Sequence, residues 1–507
     1  MTSISRIAAA FLMLALPASA QEPLSVIDWL SQSVREKPSV VDQVPLVVEG
    51  AGTQEIEVTS LDAIRKDSVG ILPSTVTGLP RNFWGSSSSE TIASLVAKQA
   101  TDSLPELLSL LYTILLAEVD APQTSSGGSV LLLARVDKLL DLGALDQAQA
   151  LIERAGPDEA ELFRRWFDVS LLTGHEDHAC TAMRAAPGFA PTLQARVFCL
   201  ARNGDWNAAA LTLATGETLA FISREDADLM TRFLDPGMFE DQPDLPLPSR
   251  LTPLIFTMRE AIAQPRPTGA LPLAFVNADL KPSSPWRKQM EAAERLVRSH
   301  ALSANHLIDL YTENQAAASG GIWDRVEAIQ RFDVALLSGD LTAISGQLPA
   351  AYQAMKEIAI EVPFALHYGD RLSDLGFKNQ ALHDGFELAL LSNGYEGAAR
   401  DFQATDTKDL FLKGLAIGNV TGLAPPGTLG IAIADAFLAP MPNGQLKSLL
   451  EEKKLGEAIL RAMLLLKDEA FADPGDIRAA LSAFRAVGLE QEARRIALQL
   501  LLLERRG

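Results

Sequence analysis

Leu200-Ala-Arg-Asn-Gly204-Asp-Trp-Asn-Ala-Ala209 carries the plan of much of the chain. An apolar helix runs into Gly204, which can take the left-handed conformation that ends a helix. A second helix then starts, and Ala209, five positions past the glycine, is small enough to let the two helices approach closely. Two earlier stretches share this form, Leu139-Leu-Asp-Leu-Gly143-Ala-Leu-Asp-Gln-Ala148 and Leu171-Leu-Thr-Gly174-His-Glu-Asp-His-Ala179. Their glycines lie 31 (174 − 143) and 30 (204 − 174) residues apart. In two of the three copies an Asp or Asn two or three positions past the glycine is expected to cap the second helix. A helical hairpin cannot bury its apolar stripe alone, so such hairpins stack.

Gly204-Asp-Trp-Asn-Ala-Ala209 resembles the inter-helix turn of tetratricopeptide-type (TPR) repeats, and Pro157 and Pro187 fall near hairpin ends as a TPR proline would. The spacing is nearer 31 than 34 residues, and the Trp-x-x-Leu-Gly-x-x-Tyr signature of the first helix is absent. The resemblance covers about 130–235. It implies a TPR-like helical-hairpin solenoid and names no ligand.

Working outward, the sequence divides into five parts. Residues 1–20 are set apart as a leader. Residues 21–128 form a small irregular N-terminal segment: Val44 to Val58 alternates around Gly50-Ala-Gly52 and predicts a β-hairpin, and helices follow at about Glu90–Ala100 and Leu104–Glu118. Residues 129–235 hold the TPR-like hairpins. Residues 236–285 contain ten of the 28 prolines and read as a connector around one short helix, about Thr252–Ala263. Residues 286–507 return to helical-hairpin patterning, with turns expected at Gly339, Gly376, Gly394 and Gly488. The last helix, about Gln491–Arg506, is expected to be a terminal cap. Phe167-Asp-Val-Ser-Leu-Leu-Thr-Gly174 recurs as Phe332-Asp-Val-Ala-Leu-Leu-Ser-Gly339, identical at six of eight positions. The fold class is therefore mainly α. An apolar set dominated by Ala and Leu, with 6% aromatics, agrees with helices rather than sandwiches or barrels.

The leader fixes an expected address. Arg6 gives a positive n-region, Ile7–Leu16 an apolar core, and Ala18-Ser-Ala20 a small-x-small cleavage site. This is the pattern of a secretory signal peptide, and the expected destination is the periplasm, with secretion as the alternative. No later apolar run reaches a membrane-spanning length of about 18 residues, so no membrane insertion is expected after cleavage. The 507-residue chain carries a formal charge of −20, which disfavours nucleic acid and anionic lipid as partners.

The candidate chemistry is sparse. The two cysteines, Cys180 and Cys199, lie on helices that neighbouring hairpins would place side by side, and in an oxidising compartment they are expected to form a disulfide. His175-Glu-Asp-His178 has a spacing that could hold a metal, but it also suits a surface helix start, where Glu176 and Asp177 meet the positive end of the helix dipole. The second reading is preferred, and no metal or other cofactor is assigned. Gly320-Gly-Ile-Trp323 reads as a loop with Trp323 anchoring the next helix, and Phe83-Trp84 as a pin holding the N-terminal segment. Nucleophile-elbow, zincin, Walker and dinucleotide motifs are absent from the sequence. No catalytic residue is nominated. The expectation is a noncatalytic exported scaffold or adaptor for a protein partner, such as an accessory of an envelope motility, secretion or cell-wall complex. The alternatives are an envelope-glycan-acting enzyme and a periplasmic small-ligand binding protein, the last with a pocket near Trp286 or Trp323.

Overall fold

The structure is a computed structural model. It describes Ile27, Trp29 and Leu30, and residues 65–123, 128–316, 318–372, 375–404, 406–440, 442, 444–467 and 473–503. The leader at 1–20 and the hairpin expected at Val44–Val58 lie outside the described residues. The described chain is mainly α, with twenty-five α-helices, short 3-10 turns and one isolated parallel bridge between Leu72 and Ala117.

Across residues 130–234 each helix packs on its neighbour in sequence: Val130–Asp141, Leu145–Ala155, Ala160–Thr173, Glu176–Ala185, Leu193–Arg202, Trp206–Thr218 and Arg224–Leu234. Gly143, Gly174 and Gly204 all take positive φ, from 77° to 83°, as the turn reading requires. Gly143 could bear no side chain for a second reason, because a Cβ there would stand 2.8 Å from Leu296 Cδ2 and 3.0 Å from Leu273 Cβ. Ala148, Ala179 and Ala209 are fully buried. The capping differs from expectation. Only Asp205, directly after its glycine, caps with its side chain, accepting from the Ala208 N–H at 3.2 Å. At Gly143 and Gly174 the cap residues are Ala144 and His175, without a side-chain bond to the helix. The acids at positions 146 and 177 already lie inside the first turn, where they meet the dipole and do not close the end.

The proline-rich stretch is not a bare tether. Pro253–Ala261 is helical and packs on both Ala160–Thr173 and Arg224–Leu234. Pro253 stands at the first helical position, where a missing N–H costs nothing. Phe275 sits between Phe256 and Trp29, with ring centroids 5.4 and 5.3 Å away.

The C-terminal helices return to the N-terminal ones. Phe83 and Trp84 lie on Gly456, whose N–H donates to the Phe83 carbonyl at 2.9 Å. A Cβ at Gly456 would stand 2.5 Å from Trp84 Cε3 and 2.8 Å from Phe83 Cε1, so only a hydrogen permits this approach. Gln99 Nε2 reaches the Leu460 carbonyl at 3.1 Å, and Ser87 Oγ donates to Glu457 Oε2 at 2.9 Å. The aromatic pair does pin the N-terminal segment, and it pins it to the helix Leu455–Leu465. Glu490–Leu502 is not an outer cap. It packs against Pro105–Leu116, Asn379–Leu391, Thr407–Ile417 and Pro474–Ala486, and buries Ala493, Ile496, Ala497, Leu498 and Leu502. Its amphipathic pattern is that of a helix joining two ends of the core. Within the N-terminal part, Arg135, fully buried, holds segments together by donating to the carbonyls of Leu115, Val69 and Ala117 at 2.7, 2.6 and 3.0 Å. Three carbonyl acceptors offset its loss of hydration.

Of the C-terminal turns, Gly339 and Gly488 take positive φ. Gly394 does not, at φ −81°, because it starts Tyr395–Asp401 and donates to Asp370 Oδ1 at 2.9 Å. Gly376 is likewise outside the left-handed set.

Candidate functional site

Where Glu490–Leu502 meets Pro105–Leu116, a cleft of about 200 Å³ opens. Its polar lining is Glu106, Ser109, His300, Asn393, Arg495 and Gln499, against a wall that includes Leu366 and Leu390. Glu106 lies in the first turn of its helix, after Pro105. Its N–H is taken by Gln499 Oε1 at 2.9 Å, and its Oε2 stands 3.6 Å from Arg495 Nη1. Burial pushes the Glu106 carboxyl up to about 7, Glu492 adds to the rise, and Arg495 opposes it. Arg495 lies over the Tyr395 ring, 5.4 Å from its centroid. Its Nε and the Tyr395 hydroxyl are both buried without a hydrogen-bond partner. His300 sits at the end of Trp286–Arg298 with φ 60°, a conformation that non-glycine residues rarely hold. It also lines an adjoining cavity of about 400 Å³, together with Leu366, Asn305 and Gln147.

This cleft can hold a small polar group, and Glu106 can exchange a proton near neutrality. Glu106 is the sole carboxylate among its described lining residues. A glycosidase needs two carboxylates across one bond. Asp384 and Asp409 are also pushed above the usual carboxylate range, first by burial, but neither lines this cleft. Sequence reasoning missed the cleft because its parts are local nowhere: Glu106 and Gln499 are 393 residues apart. The one local signal was an acid directly after a helix-starting proline.

The residues singled out from sequence fall as follows. Cys180 and Cys199 sit on the packed neighbours Glu176–Ala185 and Leu193–Arg202, with sulfurs at disulfide distance, 1.95 Å, and Cα atoms 5.0 Å apart. His175 directs Nδ1 to Thr173 Oγ1 at 3.1 Å, while Glu176 and Asp177 pair with Arg202 at 3.3 and 2.8 Å. The segment thus serves as a helix start tied to its neighbour. Trp323 opens Ile322–Ser338 and packs on Trp286 at 5.3 Å, and the Gly320 N–H donates to Asp324 Oδ1 at 2.8 Å. The Trp286 indole donates to the Leu310 carbonyl at 2.9 Å. Both tryptophans are anchors.

The repeated octapeptide reveals a surface. Both copies end a helix at a left-handed glycine, Gly174 or Gly339. In the first copy Val169 and Leu172 are each 1% exposed; in the second, their equivalents Val334 and Leu337 are 66% and 71% exposed. Pro253–Ala261 and the turn Asn277–Leu280 pack on the first helix, whereas the second packs chiefly on Ala304–Glu313 and Leu341–Lys356. Leu341, also exposed, begins the next helix beyond Gly339. Among the described residues, no helix is long and apolar enough to cross a membrane. Compared with protein-family models, curated proteins and solved structures, the chain matches none.

Proposed function

We propose that this chain is a noncatalytic, exported scaffold, a TPR-like array of helical hairpins that binds a protein partner outside the cytoplasm. The observation that carries the reading is the bare face of Ile322–Ser338, where Val334 and Leu337 lie in solvent although their copies in Ala160–Thr173 are buried. Exposed apolar side chains at i and i+3, with exposed Leu341 at the start of the next helix beyond Gly339, offer an apolar surface that a partner helix fits. The connector helix Pro253–Ala261 supplies the precedent for such a helix. The acidic balance favours a partner segment with basic flanks. The secretory leader and the cysteines at disulfide distance support an extracytoplasmic address, with an accessory of an envelope complex as one concrete version.

The test is capture from periplasm with tagged wild-type chain and a Leu337→Asp variant, compared by mass spectrometry. A stoichiometric partner held by wild type and lost from the variant is expected. The absence of such a partner, or its retention by Leu337→Asp with unchanged circular dichroism, refutes the reading. The Glu106 cleft favours a second reading, a periplasmic small-ligand binding protein, in which Glu106 and Arg495 meet the ligand's polar groups. A Glu106→Gln variant with unchanged ligand-induced stabilisation would remove that reading.

A further inference from the structure

His383, Asp406 and Asp409 come together where no sequence spacing joins them. One nitrogen of the His383 ring and one carboxylate oxygen from each Asp lie within 4.8 Å of one another. His383 belongs to Asn379–Leu391, and Asp406 and Asp409 to the start of Thr407–Ile417, with Tyr395–Asp401 packed between those two helices. Asp406 caps its helix, accepting the Asp409 N–H on Oδ1 at 2.8 Å, which leaves Oδ2 available. Asp409 is 4% exposed, and among the described residues no hydrogen bond to its carboxylate is seen. Its one ion-pair contact, with His383 Nδ1, is 3.7 Å long. Lys408, between the two acids in sequence, turns to Glu387 at 3.9 Å. A carboxylate so little exposed, set beside a second carboxylate, favours a cation that both can share.

We propose that His383, Asp406 and Asp409 form a binding site for a first-row transition-metal dication. One imidazole nitrogen with two carboxylates suits zinc and its neighbours. Calcium wants six to eight oxygens, and magnesium an oxygen octahedron. Three protein ligands leave a fourth position for water or substrate. Ligands at about 2.0–2.2 Å from one ion stand about 3.3–3.6 Å apart in a tetrahedron. The donors close to that spacing by rotating His383 and Asp406, which are both exposed, while Asp409 stays fixed. A bound ion ties Asn379–Leu391 to Thr407–Ile417 across the intervening helix.

The experiment uses the full chain stripped with chelator and titrated with Zn²⁺ by calorimetry, with Co²⁺ as a visible-absorption probe. One equivalent of saturable binding is expected, weakened at least about tenfold in His383→Gln and in Asp409→Asn. A His175→Gln/His178→Gln variant is expected to bind as wild type. The proposal is overturned if wild type shows no saturable Zn²⁺ binding, if both site variants bind unchanged, or if binding is lost in the His175/His178 variant. His383 is exposed, so His383→Gln decides the matter even if Asp409→Asn does not fold.

Discussion

Glu106 gives the sharpest quantitative prediction. Its carboxyl is pushed from 4.5 to about 7, chiefly by burial beneath Glu490–Leu502. The folded state therefore holds a proton that the unfolded chain has already released over that interval. A raised carboxyl pKa means that the folded state binds more protons, so stability falls as pH rises from about 4.5 through 7. At about 1.4 kcal/mol per pH unit over about 2.5 units, the loss comes to about 3–4 kcal/mol above pH 8. Glu106→Gln keeps the shape of the carboxyl and cannot ionise. Urea unfolding of wild type and variant at pH 5, 6, 7 and 8 isolates the effect of Glu106, because every other titrating group is shared. The two are expected to be similar near pH 5. The variant should become progressively more stable, by about 2–3 kcal/mol at pH 8, with part of the gain forfeited because Arg495 loses its attraction to a carboxylate. Parallel wild-type and variant curves across this range would refute the assignment of a high pKa to Glu106, and with it the burial of its carboxyl.

Three further outcomes are expected. Alkylation of the unfolded chain without reductant should label neither Cys180 nor Cys199, and replacing both with Ala should cost about 3 kcal/mol, the chain-entropy value for their separation of 19 residues. Gly456→Ala should lower the urea midpoint: a helix propensity gain of up to about 1 kcal/mol is outweighed by about 1–3 kcal/mol of overpacking against Trp84 and Phe83. Arg325→Met should destabilise by about 3 kcal/mol in thermal melts. It strands Glu294, which is buried and holds both Arg325, at 2.8 Å, and the Tyr311 hydroxyl, at 2.6 Å.

What the sequence by itself determined is local. The glycines at 143, 174 and 204 marked turns because helix ends need a left-handed residue within one turn of the chain. The alanines five positions on, the packing of Trp323 on Trp286, and the meeting of Cys180 with Cys199 all follow from nearby helices in sequence packing together in space. The capping pattern misled, because an acid inside the first turn and an acid at the cap look alike in sequence and do different work. The closure of the two ends was not legible, since Gly456 against Trp84 and Gln499 against Glu106 are pairings across most of the chain. Nor was His383 distinguishable from the other scattered histidines until folding set Asp406 and Asp409 beside it. The octapeptide states the division most simply. The same Phe-Asp-Val-x-Leu-Leu-x-Gly pattern makes the same helix end twice, because that depends on backbone and side chains within a few residues. Whether its Val and Leu are core or surface depends on whether another helix arrives from elsewhere to remove them from water, and only the tertiary structure decides that.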